Sequence, residues 1–364
     1  MGGGMARAVL ERRNAGRDGL EIVAAVDRSH VLAGRDLSDV VGLSQRSGVR
    51  VSRDAAATLQ QSRPDVVIIS TRSELRRVAP QIRLAVEVAR SNCITIAEEA
   101  AYPWAADRGL AEELDRLARL RGVTVLGTGV NPGFVLDALV IALTGVCLRV
   151  DHVRAERIND LSPFGSTVMK AQGVGLTPED FREGVRRGSV VGHVGFAQSL
   201  ALIARALGWR LDRVEEVREP ILSSVRRSAP HARVEPGRVA GCLHLARGLA
   251  SGREVICLVH PQQVCPEAEG VKTGDFIAIR GQPDINLSIR PEIPGGTGTV
   301  ALALNMIPTV VEARPGFLTM ADLPLPRSLP QVLSPNACAT AGGEHLGPQP
   351  PDLAARERPR PLLR

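Results

Sequence analysis

Lysine is almost missing from this chain. Of 45 basic residues only Lys170 and Lys272 are lysines, and the rest are arginines. Arginine keeps its proton in a protein, so it is a poor proton shuttle and forms no Schiff base. Proton transfer must therefore rest on carboxylates, histidines or one of two lysines. Aromatic residues are also scarce, at 2%. With little for a base to stack on, and a net charge of +6 spread along the chain, nucleic-acid binding is not expected. No stretch of about 18 apolar residues is free of charge, so no membrane span is expected. The start carries no basic region, apolar core and cleavage site in succession, so no signal peptide is expected. The six cysteines, Cys93, Cys147, Cys242, Cys257, Cys265 and Cys338, are scattered and form no C-x-x-C pair. They read as buried free thiols in a reducing cytoplasm, not as disulfides or metal ligands.

What remains is an ordinary globular composition whose length suggests two domains. The first half alternates β-branched runs with amphipathic stretches. Residues 21–27, 64–71, 92–97 and 123–127 read as strands, and 54–62, 75–90 and 105–120 as helices. Continuous apolar strands separated by helices imply a parallel sheet covered on both faces, a doubly wound α/β domain. After about residue 150 the pattern changes. Strands are expected at 150–159, 234–247, 253–260, 274–280 and 284–290, with helices at 178–187 and 193–207. Strands in succession imply a mainly antiparallel sheet, so this half is an α+β domain. The expected division is 1–150 for a Rossmann-type domain, rejoined by a helix at 298–312, and 151–297 for a second domain. Residues 333–364 are a Pro/Gly/Ala/Arg mixture expected to stay disordered.

Asp27 ends a strand and is the kind of residue that binds the adenosine ribose in a Rossmann fold. Ahead of it such a domain has a strand, a G-x-G-x-x-G turn and a helix. Here Gly2 fits the third glycine and Ala6–Arg13 the helix. The expectation is therefore that the chain starts inside the loop, with the first, central strand and two glycines lying upstream. The same gap leaves open that the chain is a truncated, non-catalytic product.

Four segments carry a family resemblance. They are Ala97-Glu98-Glu99-Ala100-Ala101-Tyr102-Pro103-Trp104, Gly127-Thr128-Gly129-Val130-Asn131-Pro132-Gly133-Phe134-Val135-Leu136-Asp137, Arg157-Ile158-Asn159-Asp160-Leu161-Ser162-Pro163-Phe164-Gly165 and Val191-Gly192-His193-Val194-Gly195-Phe196. Together they resemble the 2,4-diaminopentanoate dehydrogenases and native amine dehydrogenases, from Met1 to about Pro326. The resemblance implies a fold similar to dihydrodipicolinate reductase, an NAD or NADP cofactor and a homodimer. It also implies oxidative deamination of a small-molecule amine, 2,4-diaminopentanoate giving 2-amino-4-oxopentanoate and ammonia in ornithine degradation. An imine reductase of the dihydrodipicolinate reductase type is the competing reading. It fits less well, because the chain lacks that family's histidine pair and nearby lysine.

The chemistry needs a group to take a proton from the amine and to activate a water, which suits a carboxylate. Glu98 and Glu99 follow a strand end, where open α/β sheets bind ligands. Adjacent carboxylates repel, which raises the pKa of one of them. The resemblance places the amine-binding acid in this pair, and Glu99 is the favoured member. Asn131 also follows a strand end and is a candidate substrate contact. Arg157 and Asn159 lie two apart on a strand and share a face. Arg157 is a candidate two-pronged clamp for the substrate carboxylate, and Asn159 a holder of an amine or water. His193 is a candidate to relay a proton or bind carboxylate. His260 is weaker, and His30, His152, His231, His244 and His345 have no suggestive context. Thr71 is placed to meet the nicotinamide ribose. Asp27 suits the 2′-hydroxyl of NAD and Arg28 the 2′-phosphate of NADP, so the pair leaves the cofactor open.

Overall fold

The computed structural model describes residues 1–14 and 19–330. Its first helix runs from Gly2 to Asn14. Five short strands follow: β1 (Ala25–Val26), β2 (Val51–Ser52), β3 (Val66–Ile69), β4 (Asn92–Thr95) and β5 (Thr124–Gly127). The connecting helices are those their patterns dictate. Helix Leu75–Leu84 buries Leu75, Val78, Ala79 and Ile82, a 3.6-residue stripe. Helix Arg108–Arg121 starts at Asp107, whose side chain accepts from Leu110 N, and ends at Gly122 in the left-handed conformation.

Eight strands fill the second half: β6 (Arg149–Asp160), β7 (Arg213–Leu222), β8 (Arg227–Ala229), β9 (Ala232–Val234), β10 (Val239–Ala250), β11 (Arg253–Gln263), β12 (Gly274–Gln282) and β13 (Ile285–Ile289). A last strand, β14 (Gly316–Leu318), returns to the first half. Strands β14-β5-β4-β3 form a parallel sheet, and β1 pairs β2, also in parallel. The six-stranded sheet has the order β13-β12-β6-β11-β10-β7, antiparallel except for β6 beside β11.

The α/β class and the mainly antiparallel second sheet agree with expectation. The parallel sheet differs in one respect, because it lies in two pieces and β1 does not pair with β3 among the described residues. The strand expected at 21–27 is ordered as a strand only at Ala25–Val26. An extended segment counts as strand only where a neighbour accepts its hydrogen bonds, and β2 offers just two residues. Helix Gly295–Asn305, followed by Ile307–Glu312, packs back against the first helix and against β4 and β5. The expected tail at 333–364 lies outside the described residues.

Alternation along the six-stranded sheet divides one of its faces into two zones. On that face β6 presents Val153, Ala155, Arg157 and Asn159, and β11 presents Ile256, Leu258, His260 and Gln262. Val153, Ala155, Ala246, Ile256, Leu258, Ile277 and Ile279 form the apolar zone, with Phe196, Leu200 and Ile203 of helix Phe196–Ala206 packed on them. The same core continues to Met5, Ile94 and Leu126 of the first half. The polar zone holds Arg157, Asn159, His244, His260, Gln262 and Asp275, each no more than 7% exposed. Of the cysteines, Cys93, Cys242 and Cys257 are buried free thiols as expected, while Cys147 and Cys265 are free but only half-buried. Cys338 lies outside the described residues. No helix among those residues is long and apolar enough to cross a membrane.

Candidate functional site

The polar zone is closed by two glycine-bearing turns. After β5 the chain turns through Gly129–Asp137. Buried Asp137 holds this turn by accepting from Gly133 N at 2.8 Å, Ala138 N at 2.6 Å and Ser199 Oγ at 2.8 Å. The second turn, Val191–Phe196, carries His193 between Gly192 and Gly195, both at positive φ. A Cβ on Gly195 would lie 2.5 Å from Pro132 Cγ, so only glycine lets this turn rest on the Asn131-Pro132 turn.

Together the turns bring Asn131 and His193 onto β6, β10 and β11. Asn131 Nδ2 lies 3.4 Å from His260 Nδ1, and His260 Nε2 lies 3.0 Å from Asn159 Oδ1. The His193 and His260 rings meet edge to face with centroids 4.9 Å apart, and Phe196 packs edge to face on His193 at 4.8 Å. The His193 backbone N–H donates to His244 Nδ1 at 3.0 Å. That acceptor role leaves the hydrogen of neutral His244 on Nε2, which faces Glu216 Oε2 at 3.2 Å. Burial holds His193 down to about 3, aided by the charges of neighbouring His244 and Arg157. Burial likewise holds His260 well below its ordinary value and lowers His244 against the pull of Glu216. The three rings are neutral at physiological pH, and His244 and His260 each donate through Nε2 and accept through Nδ1. Glu216 is held below the usual carboxylate range, first by its hydrogen bond to His244.

Around the histidines, Asn131 Oδ1 and His193 Nε2 are buried without a partner among the described residues, as is Gln262 Nε2 farther along β11. Native folds rarely leave such atoms unmet, so each calls for a partner from water or a bound molecule. Arg157 stands behind them and is 2% exposed. Its Nη1 donates to Asp275 Oδ1 at 2.5 Å and its Nη2 to the Ile293 carbonyl, while Ile293 N donates to Asp275 Oδ2 at 2.8 Å. The expected free clamp is therefore an anchored cation with both terminal nitrogens engaged. A cavity of about 760 Å³ opens beyond Asn159, and its lining includes Lys272, Arg290, Glu292 and Thr297.

Glu98 and Glu99 stand on a short 3-10 turn after β4. Gly127 of β5 passes directly beneath it, and a Cβ there would lie 1.9 Å from the Ala100 carbonyl oxygen. The two glutamates are not equivalent. Glu99 accepts from Leu75 N at 2.7 Å and so satisfies the first turn of helix Leu75–Leu84, whose own N-cap residue makes no such bond. Glu98 is pushed up by burial, against a hydrogen bond from Ser73, with like charges at Glu74 and Glu99 adding to the rise. A desolvated carboxyl with a raised pKa suits acid/base chemistry, and of the two glutamates Glu98 has that character. No hydrogen bond joins this pair to the histidine cluster among the described residues.

The cofactor candidates lie on the parallel strands. Asp27 follows β1, is exposed, and accepts from Ser29 N at 2.7 Å through Oδ1. Arg28 beside it is exposed. Thr71 follows β3, is exposed and donates to Gln81 Oε1 at 2.7 Å. A Cβ on Gly2 would lie 2.7 Å from Ser70 Oγ, so the opening turn of the first helix passes tightly over the end of β3. A helix start over one parallel strand end and an exposed acid at the end of another are features that a dinucleotide's phosphates and ribose use.

His244 and His260 had no such weight in the sequence. They are direct partners across β10 and β11, and only the strand register reveals this.

Residues 134–336 match the pattern of the 2,4-diaminopentanoate dehydrogenase C-terminal domain. The chain is 44% identical over 330 residues to 2,4-diaminopentanoate dehydrogenase of Acetoanaerobium sticklandii, covering 90% of this chain and 92% of that protein. It is 25% identical over 288 residues to an amine dehydrogenase of Streptomyces virginiae, covering 72% of this chain and 78% of that protein. Among solved structures, the amine dehydrogenase from Mycobacterium smegmatis superposes with a TM-score of 0.77 at 31% identity, covering 90% of this chain and 94% of that one.

Proposed function

The chain belongs to the 2,4-diaminopentanoate dehydrogenase family, and from that premise we propose that it oxidises the C4 amine of 2,4-diaminopentanoate. It is an NAD(P)-dependent amine dehydrogenase. The nicotinamide, when bound, accepts the hydride from C4. The carbon–nitrogen bond becomes an imine, a proton is released, and addition of water gives 2-amino-4-oxopentanoate and ammonia.

The observation that carries this reading is the composition of the buried polar zone. Asn131 Oδ1, a buried acceptor without a donor, and the unpartnered His193 Nε2 stand in one zone with the anchored Arg157 among the described residues. Such a site fits a molecule that bears both an ammonium and a carboxylate. We assign Glu98 to take the proton from the C4 ammonium and later from the attacking water, because its desolvated carboxyl favours proton uptake. Neutral His193 and Asn131 orient the amine, while Asn159 meets the carboxylate, held by His260 Nε2, and Arg157, two residues before it on the same strand, stays paired with Asp275. Glu99 keeps the helix at Leu75 in place beside Glu98. Gly2, Asp27, Arg28 and Thr71 hold the cofactor. Residues 1–150 with the helix at 298–312 serve as the cofactor domain, and 151–297 as the substrate and dimerisation domain. The family resemblance further supports a cytoplasmic homodimer acting in ornithine degradation.

The test is direct. The purified chain is incubated with 2,4-diaminopentanoate and with NAD or NADP, and cofactor reduction is followed together with ammonia release. A folded protein that reduces neither cofactor in response to this substrate refutes the reading.

A further inference from the structure

One buried amide of the polar zone remains unused. Gln262 stands on β11 two residues past His260 and directly opposite Asn159 of the parallel neighbour β6. Alternation puts it on the face that carries His260 and Asn159. It is 7% exposed, and its Nε2 is buried without a hydrogen-bond partner among the described residues. An amide nitrogen has two donors and no acceptor capacity, so only an acceptor can satisfy it. Resting on the functional reading above, the choice of acceptor is narrow. At neutral pH 2,4-diaminopentanoate carries two ammonium groups, which only donate, and one carboxylate, which only accepts. Arg157, two residues before Asn159 on the same face, is already paired with Asp275, so the unmet amide donor and not a free charge selects the carboxylate at this end of the zone.

We propose that Gln262 Nε2 donates to the substrate carboxylate, so that Gln262 is a specificity-determining residue separating amino-acid amines from plain amines. A ligand with the carboxylate satisfies a donor that is otherwise buried unmet. An amine of the same skeleton without it leaves that donor unmet and is disfavoured. The carboxylate end thus lies along the Asn159–Gln262 pair of strands, and the reacting amine toward Asn131 and His193.

The experiment compares Gln262→Met, which keeps length and loses both donors, with wild type on 2,4-diaminopentanoate and on butane-1,3-diamine. The diamine has the same skeleton without the carboxylate. It is read by turnover, or by its competitive inhibition constant where turnover is slow. The variant is expected to raise KM for diaminopentanoate about ten- to a hundredfold, the worth of one hydrogen bond to a charged group, with kcat changed far less. The diamine constant is expected to stay within about threefold. Gln262→Glu, which replaces the donor by an acceptor, is expected to weaken diaminopentanoate at least as much. Equal losses on both ligands overturn the assignment, as does no loss on either. A wild type that turns over neither compound overturns the functional reading itself, a result distinct from failure of the Gln262 assignment alone.

Discussion

Substituting alanine for Gly127 adds one methyl group where the chain has no room. Gly127 ends β5, which is hydrogen-bonded between β4 and β14 and cannot slide. The new Cβ would lie 1.9 Å from the Ala100 carbonyl oxygen and 2.8 Å from Ala101 N, both backbone atoms of the turn that carries Glu98. Ordinary contact begins near 3.4 Å, so that turn must retreat by roughly 1.5 Å. Forcing a methyl group into a packed interior costs about 1–3 kcal/mol. A displacement of about 1 Å in a reacting group costs on the order of a hundredfold in rate. Gly127→Ala should therefore lower the unfolding free energy by about 1–3 kcal/mol in urea titration and lower kcat by about a hundredfold, while cofactor affinity holds. Gly122→Ala is the control for stability loss without displacement. Gly122 ends helix Arg108–Arg121 at φ +69 with nothing within 4 Å of a Cβ, so alanine is strained there but touches nothing. It should cost about 1 kcal/mol and leave kcat unchanged. If Gly127→Ala keeps wild-type kcat, or if both variants lose rate in proportion to stability, the placement of Glu98 by β5 is wrong.

Two further outcomes follow from the site. Glu98→Gln should abolish substrate-dependent cofactor reduction while cofactor binding by fluorescence titration persists. Glu99→Gln should keep most activity, because a glutamine oxygen still accepts from Leu75 N; the reverse order refutes the distinction. The buried histidines also set an acid limit on stability. His193 has a folded pKa of about 3 against 6.5 when free, so the unfolded chain binds the extra proton between those values. The stability it contributes is present above pH 6.5 and is lost as the pH falls toward about 3, with His260 and His244 acting in the same direction. Urea midpoints measured from pH 7 down to pH 5 should fall, and more shallowly in His193→Gln. Parallel slopes in the two proteins contradict the cause.

The parts of the fold that announced themselves are those where one segment satisfies its own pattern. Helix Pro178–Arg187 starts with Thr177 accepting from Asp180 N, has Pro178 in its first turn, and ends at left-handed Gly188. All three signals are local. β7 is the opposite case. Its run Arg-Val-Glu-Glu-Val-Arg-Glu-Pro-Ile-Leu has no clean alternation because it is an edge strand with β10 as its single neighbour, and such strands tolerate charge and proline. β14 is three residues long and is a strand only because β5 lies beside it. The pairing of His244 with His260 depends on one bulge. The Ser251-Gly252 hairpin alone would set His244 opposite Val259, with the two histidines on opposite faces. A register shift between Gly248 and Leu249 moves the partner by one residue and puts both rings on the same face. Nothing in the spacing of two histidines encodes that shift. The different surroundings of Glu98 and Glu99 were hidden for a similar reason, since the cap that occupies Glu99 lies 24 residues away at Leu75.

The divided face of the six-stranded sheet has an evolutionary consequence. Leu258, which fills the core, and His260, which lines the site, are neighbours on one side of the same strand. A slip of β11 by one residue would turn both to the outer surface together. Packing and chemistry are thus inherited as a single register, and drift in one cannot proceed without the other. New amine preferences are expected to arise by exchange of side chains at fixed positions and in the turns above them.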